Sequence, residues 1–121
     1  MANPFVHVEL NASDVGKAKA FYGKLFDWKL EDMPMATGAY TMIDVGEEGT
    51  GGGMLTHPMP GATSAWIPYV AVEKVADATQ KAKSLGATII RDITEVPNMG
   101  SFSIIQDPTG GVLGLWEAAT S

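Results

Sequence analysis

Residues 5–26 read FVHVELNASDVGKAKAFYGKLF, and two different periodicities meet in this stretch. Between residues 5 and 10, apolar side chains alternate with a second set that includes His7 and Glu9. A period of two predicts a β-strand with one buried face and one face of different character. From Val15 onward, the apolar residues recur at helical spacing. The stretch therefore predicts a strand that passes, through a short polar capping segment, into an amphipathic helix.

The same order of elements recurs after a linker at residues 57–64 that is rich in Pro, Gly and Ser. An offset of sixty residues aligns the two halves without a gap, so that Val15 corresponds to Val75. We therefore predict one α+β domain made of two βαβββ modules, at about 1–58 and 63–121. The modules are expected to form a curved mixed sheet with helices outside and a cleft inside.

Several local segments have simple structural interpretations. Residues 33–38 predict a loop, and Gly51-Gly52-Gly53 predicts a turn or a strand approached closely by other backbone, because no helix and lysine follow as in a phosphate-binding loop. Asp107 lies in an Asp-Pro-Thr-Gly sequence, which is typical of a turn and not of a catalytic acid. The aromatic residues near the first helix are expected to pack that helix on the sheet: Phe21, Tyr22, Phe26 and Trp28.

The amino-acid composition argues against several classes of function. The 121 residues include no cysteine, which excludes disulfides, thiolate metal sites and a cysteine nucleophile. A net charge of −6 with Arg91 as the single arginine argues against nucleic-acid binding and favours a neutral or cationic ligand. Neither a signal peptide nor an apolar run of about 20 residues is visible, so we expect a cytoplasmic protein that does not span a membrane.

Several motifs resemble a known superfamily. Asp14-Val15 precedes a helix that carries Phe21-Tyr22 and then Leu25-Phe26-Asp27-Trp28. The second half carries Leu85-Gly86-Ala87 and Asp107-Pro108-Thr109-Gly110-Gly111. Together they are similar to the two modules of the vicinal oxygen chelate superfamily, which includes glyoxalase I, extradiol dioxygenases, methylmalonyl-CoA epimerase and bleomycin-resistance proteins. The resemblance implies the fold and a homodimer, and it leaves the reaction open because the fold hosts unrelated chemistries.

The resemblance also implies four cavity-facing positions that hold a divalent metal in some relatives. By the sixty-residue offset these positions are His7, Met54, Ile67 and Gly114. Only His7 offers a suitable donor, and one imidazole is not a metal site. We therefore expect no metal cofactor. A divalent metal held by His7, Glu9, His57 and Glu117 is the alternative, although strand alternation directs His57 and Glu117 away from the cleft.

His7 and Glu9 are the candidate catalytic residues, because an imidazole and a carboxylate on one strand face can exchange protons near neutral pH. A purely structural hydrogen-bonding role is the alternative. The candidate ligand-binding residues are Tyr69, Trp116, Tyr40, Met42, Met54 and Ile67. Two functions stay open at this stage: a metal-independent binder of an apolar or aromatic small molecule, and a glyoxalase-like lyase or isomerase that uses His7 and Glu9 in acid–base roles.

Overall fold

The structure, a computed structural model, describes residues 2–35 and 38–120. Its elements are β1 (Phe5–Ala12), α1 (Val15–Leu25), β2 (Lys29–Met35), β3 (Gly38–Asp44), β4 (Gly52–Thr56), β5 (Ala65–Ala71), α2 (Val75–Ser84), β6 (Thr88–Val96), β7 (Gly100–Gln106) and β8 (Val112–Ala118). The chain forms two compact units. The first unit is His7–Ile67, and the second unit is Met1–Val6 together with Pro68–Ser121.

The first unit has the strand order β2-β3-β4-β1. The β1–β4 pair is parallel, whereas β2, β3 and β4 pair antiparallel in succession. Helix α1 begins after Asp14, whose Oδ1 accepts the backbone N–H of Lys17 at 3.0 Å. The helix covers one face of these strands, and the core between them consists of Leu10, Ala12, Ile43 and Met54 with Val15, Ala18, Tyr22, Trp28, Leu30 and Val45 around it.

The second unit has the strand order β5-β8-β7-β6, which matches that of the first unit when it is read in reverse. Its first and last strands in sequence, β5 and β8, again pair in parallel, and the other neighbours pair antiparallel. Its core contains Val75, Ile105 and Leu115. A buried hydrogen bond of 2.8 Å joins the hydroxyls of Thr79 on α2 and Ser103 on β7. The predicted α+β class and the two βαβββ modules are therefore confirmed. The boundaries between the compact units lie at residues 6/7 and 67/68, whereas the two modules are joined by the linker at residues 57–64.

Some predicted boundaries are wrong. Strand β1 continues beyond the predicted residues 5–10 to Ala12, so Asn11 is a strand residue and the polar segment that caps α1 is shorter than predicted. Strand β2 runs to Met35 through the predicted loop, and Pro34 fits there because β2 pairs on one side only within its unit. Residues 36 and 37 of the predicted loop lie outside the described residues.

The gapless offset of sixty residues holds for the helices and fails for the later strands. Glu9 pairs with Gly53, and its counterpart Tyr69 pairs with Gly114, so the last strands correspond at an offset of sixty-one. Strand β6 has two register shifts, on either side of Arg91, that its counterpart β2 lacks. When the offset between two corresponding strands changes by one residue, each side chain is assigned to the opposite face of the sheet.

The aromatic residues around α1 form one cluster within the first unit. Tyr22 contacts the rings of Phe21, Phe26, Trp28 and Trp66 at centroid distances between 5.0 and 6.4 Å. Tyr22 and Trp28 pack on the core as predicted, but Phe21 and Phe26 are exposed, which corrects that part of the prediction. Neither helix of the described chain is long enough to cross a membrane.

Candidate functional site

Strand β1 presents His7, Glu9 and Asn11 on the face opposite α1. Their neighbour Leu10 lies in the helix-side core and pairs with Met54, whereas Glu9 pairs with Gly53. Because side chains alternate along a strand, the three polar residues share the other face.

Tyr40 on β3 belongs to the same face. Met42, two residues further on, pairs with Gly53, while Thr41 pairs with the core residue Met54. The Tyr40 ring lies over Gly53 so closely that a Cβ built on this glycine would stand 2.1 Å from the ring edge and from the hydroxyl oxygen. The absence of a side chain at Gly53 is therefore what admits the tyrosine ring.

Hydrogen bonds join these residues into what we call the polar cluster: His7, Tyr40, Glu9 and Asn11. His7 Nε2 lies 2.7 Å from the Tyr40 hydroxyl, which in turn donates to Glu9 Oε1 at 3.1 Å. Asn11 Nδ2 donates to the other carboxylate oxygen, Glu9 Oε2, at 3.2 Å. The Glu9 carboxylate thus accepts a hydrogen bond at each oxygen.

Burial gives His7 its electrostatic character. Desolvation lowers the pKa of His7 below its ordinary value of 6.5, and the negative charge of Glu9 opposes this shift without cancelling it. His7 is consequently neutral at pH 7, the form in which an imidazole can accept a proton.

The corresponding face of the second unit carries aromatic rings. Buried Tyr69 covers Gly114, where an added Cβ would lie 2.2 Å from the ring, and Tyr69 meets Phe102 edge-on at 6.0 Å. Trp116 pairs with Phe102 across β7 and β8 and lies beside Gly100. Tyr69 pairs with Gly114, two residues from Trp116, so Tyr69 and Trp116 lie on one face of the second unit. Phe102 is only partly buried, and its ring packs under the Arg91 guanidinium, whose central carbon lies 5.3 Å from the ring centroid.

The remaining predicted ligand-binding residues, Met42, Ile67 and Met54, do not all lie on the face opposite the helix of their unit. Met42 lies on the face of the polar cluster, and Ile67 lies two residues before Tyr69 on β5 and so shares its face. The predicted orientation of Met54 is wrong, because this side chain is fully buried in the core under α1. The cause is the one-residue change in offset, since Gly53 and not Met54 corresponds to Gly114.

A divalent metal needs three or four donor side chains in one place. In the described part of the chain, no three His, Asp or Glu side chains come together as a potential ligand set. His57 Nδ1 accepts the backbone N–H of Met59 at 3.0 Å, and Glu117 Oε1 accepts that of Val75 at 2.8 Å at the start of α2. Both residues of the alternative metal site therefore have local structural partners.

The sequence reasoning missed Asn11 and Gly53. A signal for Asn11 existed, because the alternation of His7 and Glu9 continues to residue 11. Gly53 had no equivalent signal, since a triple glycine does not reveal which of its members lies beneath an aromatic ring.

Two βαβββ modules, each with its first and last strands paired in parallel and its helix on one face of the strands, define a class of paired-module α+β proteins. A sequence profile described as Glyoxalase/Bleomycin resistance protein/Dioxygenase superfamily matches residues 5–114. The chain belongs to this superfamily.

Individual relatives agree with this assignment. The protein named "Putative glyoxylase CFP32" of Mycobacterium bovis is 32% identical over 118 residues, which cover 92% of this chain and 44% of the relative. The chain thus spans less than half the length of that relative. A hypothetical protein from Bacillus halodurans superposes with a TM-score of 0.73 at 14% identity, covering 100% of this chain and 98% of the other. Methylmalonyl-CoA epimerase from Mycobacterium tuberculosis gives 0.71 at 12% identity, covering 96% and 88%. These two likenesses concern the fold alone.

Proposed function

We propose that this chain binds a small neutral or cationic organic molecule at the polar cluster, without a metal. The observation that carries the proposal is the continuous hydrogen-bonded chain from His7 through Tyr40 to Glu9. In this hydrogen-bonded row, the phenol of Tyr40 links the imidazole of His7 to the carboxylate of Glu9. Such a network orients its polar groups, which suits the recognition of a polar group on a ligand better than the coordination of a cation.

Charge supports the choice of ligand. The permanent charge of the polar cluster is the Glu9 carboxylate, and the whole chain has a net charge of −6. A negative field disfavours phosphate-rich or multiply carboxylated ligands and tolerates neutral or cationic ones. Tyr40 and Met42 add an aromatic ring and a polarisable thioether on the same face, so the ligand is expected to be partly apolar.

A ligand screen by thermal shift tests this proposal. The library would contain uncharged and cationic aromatic compounds, with anionic analogues of the same size as controls. A ligand present at about 100 times its Kd stabilises the folded state by roughly 2.7 kcal/mol, which is a readily measured shift in Tm. Elemental analysis of the same preparation addresses the metal. Near-stoichiometric Zn, Ni, Mn or Fe whose removal abolishes binding would contradict the proposal.

A second candidate function is acid–base catalysis of the lyase or isomerase type. It is favoured by the lowered pKa of His7, which burial keeps neutral beside a phenol that can pass on a proton. The glyoxylase name of the Mycobacterium bovis relative agrees with this candidate at the level of the family.

His7→Ala and Glu9→Ala separate the two candidates once a ligand is known. An enzyme loses kcat with little change in affinity, because the removed group acts mainly in the transition state. A binding protein loses affinity and has no turnover to lose.

A further inference from the structure

We infer that the second unit binds an aromatic monocarboxylate on the side opposite α2, where Arg91 holds the carboxylate. We call this side, formed by Tyr69, Phe102 and Trp116, the aromatic face. Arg91 is the single arginine of the chain. The proposed function concerns the polar cluster of the first unit, whereas Arg91 and the aromatic face belong to the second unit, so the inference does not rest on that proposal.

An irregularity in strand pairing decides on which face Arg91 lies. Ile89 pairs with Ile105 and packs against the core under α2. In a regular strand, residue 91 would point to that same core. Arg91 pairs instead with Ile104, so two steps along β6 correspond to a single step along β7. The extra residue in β6 therefore turns Arg91 away from the core and toward the aromatic face.

A second irregularity brings Thr94 to the same face. Thr94 pairs with Phe102, so three steps along β6 from Arg91 correspond to two steps along β7 from Ile104. An odd separation of three residues would place two side chains on opposite faces of a regular strand. The second extra residue cancels this effect, and Arg91 and Thr94 point the same way.

Thr94 anchors one edge of the guanidinium. Arg91 Nε donates to Thr94 Oγ1 at 3.3 Å, and Thr94 Oγ1 donates its own proton to the carbonyl oxygen of Asp92 at 3.0 Å. The Asp92 carboxylate accepts the backbone N–H of Ile93 at 2.8 Å. Within residues 2–35 and 38–120, the two terminal nitrogens of the guanidinium make neither a hydrogen bond nor an ion pair. These two nitrogens form the donor pair that a carboxylate accepts in a bidentate manner.

The rings beside the guanidinium determine the rest of the ligand. The Arg91 guanidinium lies over the ring of Phe102, which meets Tyr69 edge-on and pairs with Trp116 across β7 and β8. The contact with Phe102 keeps the planar fork next to aromatic surface. Phe102 and Trp116 are only partly buried, so their rings can pack against a ligand. A ring attached to the bound carboxylate would fit this surface.

The distribution of charge across β6, β7 and β8 also favours a monoanion. Glu95 and Glu117 both pair with Ser101, whose side chain points away from the aromatic face because Phe102 follows it. The sheet therefore separates these two carboxylates from Arg91. One guanidinium balances one carboxylate, whereas a phosphate or a dicarboxylate would keep a negative charge beside a chain whose net charge is −6.

Titration of the full chain with a series of aromatic monocarboxylates, from benzoate to 3-phenylpropionate, tests this inference by 1H–15N NMR. We expect saturable binding, with the largest shifts at Arg91, Phe102 and Trp116. The matching neutral amides, benzamide to 3-phenylpropionamide, have the same shape without the charge. We expect them to bind about tenfold more weakly or worse, because a charge-assisted pair is stronger than a neutral hydrogen bond.

Variants locate the binding. Arg91→Gln is expected to weaken binding of the acids by about 10- to 100-fold, the usual effect of losing hydrogen bonds to a charged group. Arg91→Lys keeps the charge without the planar fork and should give an intermediate loss. Lys81→Gln is the matched control, because it changes the net charge equally at an exposed position on α2 and should leave binding unchanged.

Three results would overturn the inference: no saturable binding of any acid in the series, equal affinities for acid and amide, or equal affinities in the wild type and R91Q. Equal losses in R91Q and K81Q would overturn it too, since they would show a response to net charge alone. An acid that binds the wild type and not R91Q does not contradict the neutral or cationic ligand proposed for the polar cluster. Failure to find that ligand would in turn leave the result at Arg91 intact.

Discussion

The ring of Tyr40 fills the space over Gly53 that a side chain at this position would need. An added Cβ would stand 2.1 Å from the phenol, while the same phenol bonds His7 at 2.7 Å. The glycine and the polar cluster therefore depend on each other, because the tyrosine can reach His7 only while residue 53 lacks a side chain.

The Gly53→Ala variant tests this dependence. The methyl group is expected to displace Tyr40, break its bond with His7 and destabilise the protein by about 1–3 kcal/mol, as overpacking does. NMR titration is expected to show a changed pKa for His7. Gly23→Ala is the matched control, because its Cβ meets the nearest atom at an ordinary 3.7 Å and lies in a helix. An unchanged His7 titration in G53A would contradict the prediction.

The stability of the protein is expected to depend on pH through His7. Burial lowers the pKa of His7 in the folded state below 6.5, so the unfolded chain binds more protons between the two values. The contribution of His7 is thus fully present above pH 6.5 and is lost as the pH falls through its folded pKa. Replacing His7 with Gln should flatten the dependence of Tm on pH in this window. Equal slopes in both proteins would contradict the assignment.

Glu117 is expected to act as a helix cap and not as a metal ligand. Lys74 precedes α2 and makes no capping hydrogen bond with its side chain. Glu117 Oε1 caps the helix instead, because it accepts the backbone N–H of Val75 at 2.8 Å. Glu117→Ala is expected to lower the free energy of unfolding by about 0.5–2 kcal/mol, the usual effect of losing a cap. Urea denaturation with and without a chelator measures this. A loss that appears only in metal-loaded protein would favour the alternative metal site.

The segment before β1 is expected to stabilise the second unit. Ala71 N donates to Pro4 O and Asn3 Nδ2 donates to Ala71 O, both at 2.9 Å. A chain without residues 2–4 loses both bonds, with an expected cost of about 1–3 kcal/mol. Hydrogen exchange should become faster at Ala71 and remain unchanged at Lys17, whose amide is capped by Asp14 in the first unit. Equal effects at both amides would indicate a general destabilisation instead.

We expect the protein to be a homodimer, as the family resemblance implies. Helix α1 exposes 59% of Phe21 and 55% of Leu25, and burying such apolar surface favours association. Light scattering at micromolar concentration should give twice the chain mass of 12.8 kDa. Phe21→Ser is expected to lower the dimer fraction, whereas Met59→Ser, at a residue 67% exposed in the linker, is not. A wild-type protein with the mass of a single chain would contradict the prediction.

The sequence was most informative where one periodicity dominates. The alternation around His7 and the helical spacing after Val15 predict the first strand and helix of a module and the distinct polar face of β1. The pairing of His7 with Tyr40 could not be predicted, since it depends on how β3 and β4 align across a glycine.

The error at Met54 has a physical cause that no single sequence displays. Bulges and turn lengths are set by how strands pair, and they change the correspondence between repeats by one or two residues. In a strand, a shift of one residue moves a side chain from one face to the other, and this shift places Met54 in the core and not on the face of His7 and Glu9.

The second unit is discontinuous in sequence, because it combines Met1–Val6 with Pro68–Ser121. During synthesis, the Pro4 carbonyl must therefore wait until Ala71 has been translated before it can accept the Ala71 N–H. The first unit, His7–Ile67, is complete at that moment and can fold during synthesis. The residues before His7 thus join their own unit only after the first unit has been synthesised, although they precede the first unit in sequence.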